Sequence, residues 1–325
     1  MRIRPGLVAG LLVAVVTLAL PAVLDDSALA VYILLGLAAM VTVGVSLLMG
    51  YAGQVSLGQG AFYAIGAYTA ALLALSGAPP LAGLLAAPVA AALSALVIGV
   101  PLLRLRGHHL AFATLAMQLI LLSLAGQLEF TGGDIGLQGI PQFSAGSFEA
   151  TSASVYAWLT WAGLALVMLV THNVITSRPG RALRALATSE IAAASSGIPV
   201  GRYKLVVFAL SATFAGLAGG IYCFYTGYVA PGSFPVLISI QYIVMAVVGG
   251  LGTVWGAVVG ATAITLLVQG LDRLASLPGM PTYAPSVLSY AVYALVLIGV
   301  VLFMPQGLVP AVSGRLSGKR PGIRS

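Results

Sequence analysis

Charge is what this sequence has least of. Of 325 residues only 6% are charged, while 60% are hydrophobic and the mean hydropathy is +1.08. A soluble globular domain carries about 25% charged residues, so a water-soluble fold is excluded. Acids are the scarcer sign, seven against fourteen bases, which leaves a net charge of +7. In an apolar chain that excess points to Lys and Arg gathered on the cytoplasmic side of a membrane rather than to nucleic acid. The single cysteine, Cys223, excludes an internal disulfide, has no metal-ligand spacing around it, and reads as a small packed hydrophobe. No GxxxxGK[ST] phosphate loop is present, so ATP hydrolysis is not expected of this chain. No nucleophile–base constellation and no carboxylate pair stand out, so no catalytic or metal-binding residue is assigned. The alternation of a membrane β-barrel is also missing, which favours helices.

Long apolar runs are what the sequence has in abundance, and runs of about 20 such residues read as membrane-spanning helices. Ten are drawn: Gly6–Leu24, Ala30–Met49, Gln59–Ser76, Leu81–Leu103, His109–Gln127, Val155–Val174, Leu205–Phe224, Leu237–Gly249, Leu251–Gly270 and Ser286–Phe303. The expected fold is all-α, a polytopic integral membrane protein forming one domain over 1–325. A first span falls within about 1–30, core spans occupy 31–304, and a basic tail fills 305–325. The start, MRIRPGLVAGLLVAVVTLALPAVLDDSALA, has the basic residues, apolar core and small-x-small end of a signal peptide, but in a polytopic chain an uncleaved first span is the preferred reading.

Charge positions test the count. Ten spans put both ends on one side. If that side is the cytoplasm, it receives Arg2, Arg4, Arg104, Arg106, Arg178, Arg181, Arg184, Arg202, Lys204, Arg315, Lys319, Arg320 and Arg324. The other side receives Arg273 and the acids Asp25, Asp26, Glu129, Asp134, Glu149 and Asp272; only Glu190 is an acid inside. Dropping any one span scrambles this separation. No charge is left at mid-membrane, which argues against a proton- or sodium-coupled carrier. His108, His109 and His172 lie near inner helix ends and read as interfacial residues. Trp158, Trp161 and Trp255 lie near span ends, where indoles favour the interface.

Two loops exceed turn length. The outer one, roughly Leu128–Ser154, contains FTGGDIGLQGIPQF and is expected to be ordered by turns or by a partner, not by a core of its own. The inner one, roughly Thr176–Lys204, contains SRPGRALRALATSEIAAASSGIPVGRYK and reads as two short helices. Pro179 suits a first helical position, and Arg181 and Arg184 lie three apart on one face. Thr188 or Ser189 can cap a second helix with Glu190 in its first turn, and Gly197 followed by Pro199 stops it. Ala192, Ala193 and Ala194 give it a smooth surface that fits either an interfacial linker or a docking helix.

The uncharged stretch GYAGQVSLGQGAF, Gly50–Phe62, separates two spans at or just within the inner face. Non-helical backbone at membrane depth survives only when buried in protein or lining a cavity. It is expected to be a buried break near a pathway, with Gln54, Ser56 and Gln59 satisfying freed backbone groups or facing the passage.

Taken in order, GYAGQVSLGQGAFYAIGAYTAALL, RLRGHHLAFATLAMQLI, TGGDIGLQGIP, SEIAAASSGIPVGRYKLVVFALSATFAGLAGGIY and GGLGTVWGAVVGA resemble the branched-chain amino acid ABC importer permeases, specifically the LivM-like subunit. The resemblance runs from about Ala39 to the C-terminal FMPQGL. It implies the importer permease fold with a cytoplasmic docking loop in the bacterial inner membrane. It also implies a second, LivH-like permease, two cytoplasmic ATPases holding ATP and Mg, and a separate extracytoplasmic solute-binding protein. SEIAAASSG looks like the loop that contacts the ATPase, where Glu190, Ala192 and Gly197 match its pattern, with Arg181, Arg184 and Ala193 beside them. Gly197 stands seven after Glu190, one more than in the general importer form, as in the branched-chain subfamily. Gly132, Gly133 and Asp134 are candidate contacts for the binding protein, or a surface turn. The substrate stays open: relatives in the family import urea or short amides. A stand-alone secondary carrier and a structural subunit are the other classes. The glycines of AGLAGGIY and GGLGTVWGAVVGA are accounted for by close helix packing.

Overall fold

A computed structural model describes residues 17, 19–105, 107–145, 148–275, 295 and 307–309. Most of the span read at Gly6–Leu24, the span at Ser286–Phe303, Arg106 and the terminal basic residues lie outside these. Among the described residues ten α-helices follow one another: α1 (Asp26–Ala52), α2 (Gln59–Leu75), α3 (Pro80–Leu102), α4 (His108–Gln127), α5 (Ala153–Thr176), α6 (Arg178–Thr188), α7 (Glu190–Ser195), α8 (Val200–Thr226), α9 (Val236–Gly249) and α10 (Val254–Ala275). Each of the eight central spans falls on one of them. Among the described residues seven helical segments are long and apolar enough to cross a membrane, and α2 is a shorter apolar helix. The chain is therefore a multi-pass membrane protein.

Hydropathy misjudged where helices end. α1 begins at Asp26 rather than Ala30 and runs to Ala52, and α8 begins at Val200 rather than Leu205. A polar or charged residue ends an apolar run but not a helix, because the backbone ladder continues into the interface. The boundary between α9 and α10 moves the other way. Gly250 and Gly252 take positive φ of 113° and 77°, and α10 starts only at Val254.

α1 and α8 form the centre and are the most buried of the spans. α8 packs on α1, α2, α3 and α5, and α9 and α10 lean against α1 as a hairpin. Small residues make this possible. A Cβ added at Gly66 would fall inside the backbone of Gly216, and one added at Gly219 inside that of Tyr63. A Cβ at Gly216 would also meet Ala87 O at 2.8 Å, and one at Gly260 would reach the Gly249 backbone N at 2.7 Å. In lipid the hydrophobic effect does not drive helix association, so contacts this close supply the van der Waals attraction that does. The packing expected of the two glycine segments is present. Trp161 does not sit free at an interface; it stacks on Tyr32 with ring centroids 4.5 Å apart.

At the start of α1 the Ser27 hydroxyl donates to the Asp25 carboxylate (2.7 Å) and holds its carboxyl below the usual range, with Arg273 contributing. The long loop between α4 and α5 is tied down at two places. β1 (Leu137–Gln138) pairs antiparallel with β4 (Tyr228–Val229), and β2 (Ser144–Ala145) pairs with β3 (Phe148–Glu149). Turns order this loop as expected, but it also has a buried underside. Ile140 and Phe143 sink into the main core, where Phe143 meets Phe224 edge-on at 5.8 Å.

Candidate functional site

Two features stand out: the break between α1 and α2, and the short helices α6 and α7.

α1 ends at Gly53, whose φ of +62° closes the helix in the left-handed region that glycine adopts without Cβ strain. The Gln54 N–H returns to Leu48 O at 3.1 Å. Residues 53–58 then run outside any helix. Gly53 and Val55 are exposed, while Gln54 and Ser56 point inward and are buried. The freed N–H groups are taken up by other helices. Leu57 donates to Thr114 Oγ1 (2.9 Å) on α4, and Gly60 donates to Ser239 Oγ (2.8 Å) on α9. The Ser239 hydroxyl passes its own proton to Gln118 Oε1 (2.6 Å), and Gln118 Nε2 donates to Phe234 O (3.3 Å). A Cβ at Gly60 would lie within 2.9 Å of Ser239 Oγ, so glycine is required for this approach.

Of the two roles expected for the three polar residues of the break, that of serving a freed backbone group falls to Ser56 alone. Gln54 and Gln59 satisfy no freed backbone group; ladder groups there are served by residues from α4 and α9. Ser56 alone contributes, accepting the Gly58 N–H at 3.4 Å. The amides of Gln54 and Gln59 are 2% and 0% exposed and have no hydrogen-bond partner among the described residues. A buried amide without partners costs about 1–3 kcal/mol, so two in one short segment call for a reason beyond packing. Thr114, Gln118 and Ser239 went unnoticed in the sequence. Their signal was faint: single polar residues inside apolar spans.

The depth of the junction follows from register. α9 runs beside α1, with Met245 at Thr42 and Gly252 at Gly50. From Gly252 back to Ser239 is about 20 Å at helical rise. The first turns of α2 and α9 therefore meet about half-way along α1.

α6 is amphipathic. Leu183 and Leu186 are buried, while Arg181 and Arg184 share the exposed face. The two leucines face inward where α6 packs on α1 and α5. Ser189 caps α7 by accepting the Ala192 N–H at 3.3 Å, as its position before Glu190 suggested. Glu190 is half-exposed and pairs with Lys204, a buried lysine in the first turn of α8. The pair fastens α7 to the foot of the central helix. Ala192 is exposed, but Ala193 is 2% exposed and faces inward, so its methyl is absent from the outer surface. Gly197, at φ +80°, has open space around it. Ile191 is 81% exposed and was not singled out in the sequence, where an isoleucine among alanines reads as core. The break and this loop are neighbours: a Cβ on Gly53 would lie 3.9 Å from Ala187 Cα.

On the loop between α4 and α5, Gly132 and Gly133 form a turn at positive φ, and Asp134 is exposed beside the exposed Ile135. The Tyr228 hydroxyl donates to Ile135 O (2.9 Å), which holds the turn against the strand after α8.

Comparison with known proteins agrees with this arrangement. Residues 26–302 match the family described as branched-chain amino acid transport system / permease component. The high-affinity branched-chain amino acid transport system permease protein LivM of Escherichia coli K12 is 30% identical over 324 residues, covering 89% of this chain and 70% of the relative. The probable LivM of Methanocaldococcus jannaschii is 24% identical over 257 residues, 74% of this chain and 73% of the relative. The permease protein LivH of Salmonella typhimurium is 27% identical over 288 residues, 83% of this chain and 90% of the relative. No solved structure matches the chain. With a family match over most of its length, the chain belongs to the branched-chain amino acid transport permeases.

Proposed function

We propose that this chain is the permease subunit of an ATP-driven importer of branched-chain or related hydrophobic amino acids. It crosses the membrane ten times with both ends in the cytoplasm and forms half of a pathway with a second, LivH-like permease. Two cytoplasmic ATPases supply ATP and Mg chemistry, and a separate extracytoplasmic protein delivers the solute. Residues 176–204 are the docking loop, and Gln54, Ser56 and Gln59 border the pathway. Gly132, Gly133 and Asp134 meet the binding protein.

One observation carries the coupling part of this reading: α7 presents Ile191 and Ala192 outward while its own Glu190 is fastened to Lys204 of α8. A surface helix tied to the central helix suits transmission of a push. Ile191 and Ala192 enter a groove of the ATPase, and Arg181 and Arg184 orient the contact. Ala193 supports α7 from beneath. Movement of α7 reaches α8, and α8 reaches α2 and α3 through backbone contacts too close to slip independently.

The test is assembly and transport. Replacing Glu190 and Gly197 by bulky residues, or Ile191 by Asp, is expected to release the ATPases on purification and to abolish stimulated uptake in vesicles. Retention of both in all three variants overturns the docking assignment.

A further inference from the structure

Beside the junction of α2 and α9 lies a cavity of about 290 Å³, bordered by α1, α2, α8, α9 and α10. Its lining has two chemistries. Leu37, Met245 and Ile264 are apolar; Gln241, Thr265 and Gln269 offer amides and a hydroxyl. None of these three polar side chains makes a hydrogen bond within the described residues. Tyr63 and Tyr242, each one turn into its helix from the Gly60–Ser239 contact, also line the cavity, with ring centroids 6.4 Å apart. No charged residue is among the described lining.

Amides without a partner among the described residues are costly against lipid, and the cavity they border gives a polar group room to meet them. An amide both donates and accepts, and a hydroxyl does the same. Together they match an ammonium and a carboxylate on one solute. A solute with a net charge has no counter-ion here and keeps its desolvation cost. The apolar side has the opposite demand: a wholly polar solute such as urea leaves Leu37, Met245 and Ile264 unmatched.

We infer that this cavity is the solute's site within the membrane and that it takes one net-neutral aliphatic α-amino acid. The aliphatic chain lies against Leu37, Met245 and Ile264, and the zwitterionic end is held by Gln241, Thr265 and Gln269. The assignment rests on the importer reading above.

The test uses the complete importer in vesicles with ATP, offered labelled L-leucine, L-alanine, L-lysine or urea. Leucine uptake is expected, with lysine and urea at least tenfold lower. Gln241→Leu and Gln269→Leu are each expected to cut leucine uptake at least tenfold while the ATPases still co-purify. Ala38→Leu, which narrows the same cavity, is expected to shift the leucine-to-alanine uptake ratio at least fivefold toward alanine. Loss of folded protein does not move that ratio. If wild type imports leucine and both the glutamine variants and the ratio are unchanged, the cavity assignment is overturned while the importer reading stands. If wild type prefers urea or lysine, the solute class is overturned. If it imports nothing, the importer reading itself fails.

Discussion

Residues 53–58 and the loop at 176–204 both leave the helical ladder, and they meet where Gly53 faces Ala187. They meet the resulting demand for hydrogen bonds differently. The break has no charge and buries Gln54, Ser56 and Gly58, and its N–H groups find Thr114 and Ser239 on helices about 57 and 179 residues away in sequence. The loop caps itself: Ser189 serves α7, three residues away, and Glu190 reaches only to Lys204. Depth decides which solution is available. Near water a short segment can rely on local capping and solvent; inside the bundle every group needs a protein partner.

That contrast makes its own tests, and the largest effect lies in the break. Gly60→Leu drives a side chain into Gln118 and Ser239. It is expected to cost more than about 3 kcal/mol and to remove most folded protein, since neighbouring helices fix both partners. The counterpart Gly197→Leu meets only open space and the strain of a left-handed backbone, about 1–2 kcal/mol. Monodisperse yield on size-exclusion chromatography separates them; equal yields break the contrast.

Next comes Ser239→Ala, which leaves the Gly60 N–H and the Gln118 oxygen without their partner. A loss of about 1–3 kcal/mol is expected, read as a lower thermal midpoint in detergent. Ser239→Thr keeps the hydroxyl and is expected to recover part of it.

Lys204→Met should cost on the order of 1–2 kcal/mol, between exposed and buried ion pairs because Glu190 is half-exposed. Its larger signature is functional. If the pair transmits movement, ATP hydrolysis continues while uptake falls, and the double variant Glu190→Gln with Lys204→Met behaves like the single one. Additive losses in the double variant argue against coupling through this pair.

Ser189→Ala gives the smallest effect. The capping bond is 3.3 Å long and exposed, so a loss near 0.5 kcal/mol is expected. A change larger than that of Ser239→Ala inverts the comparison.

The inner loop was legible because its signals are local. Pro179, Ser189, Glu190 and Gly197 act within one turn of themselves, so their spacing announces two helices. The break was legible as a break, since four glycines and no charge interrupt two apolar runs. Its chemistry was not, because Gln54 and Gln59 were the conspicuous polar residues while Thr114 and Ser239 did the bonding. Ala193 was placed on the smooth surface and Ile191 was passed over for a related reason. On a helix of six residues composition does not say which side faces the bundle; the tie to Lys204 does.

Composition and charge by themselves determined that the chain is a multi-pass helical membrane protein, because lipid admits few alternatives for so apolar a sequence. They also located its irregular segments. Only the tertiary structure decided that the first turns of α2 and α9 meet half-way along α1, that a cavity bordered by amides lies beside them, and that α7 is fastened to α8. Those facts depend on which helices adjoin. That is settled by backbone contacts between small residues far apart in the chain, such as Gly66 on Gly216, and no local pattern encodes them.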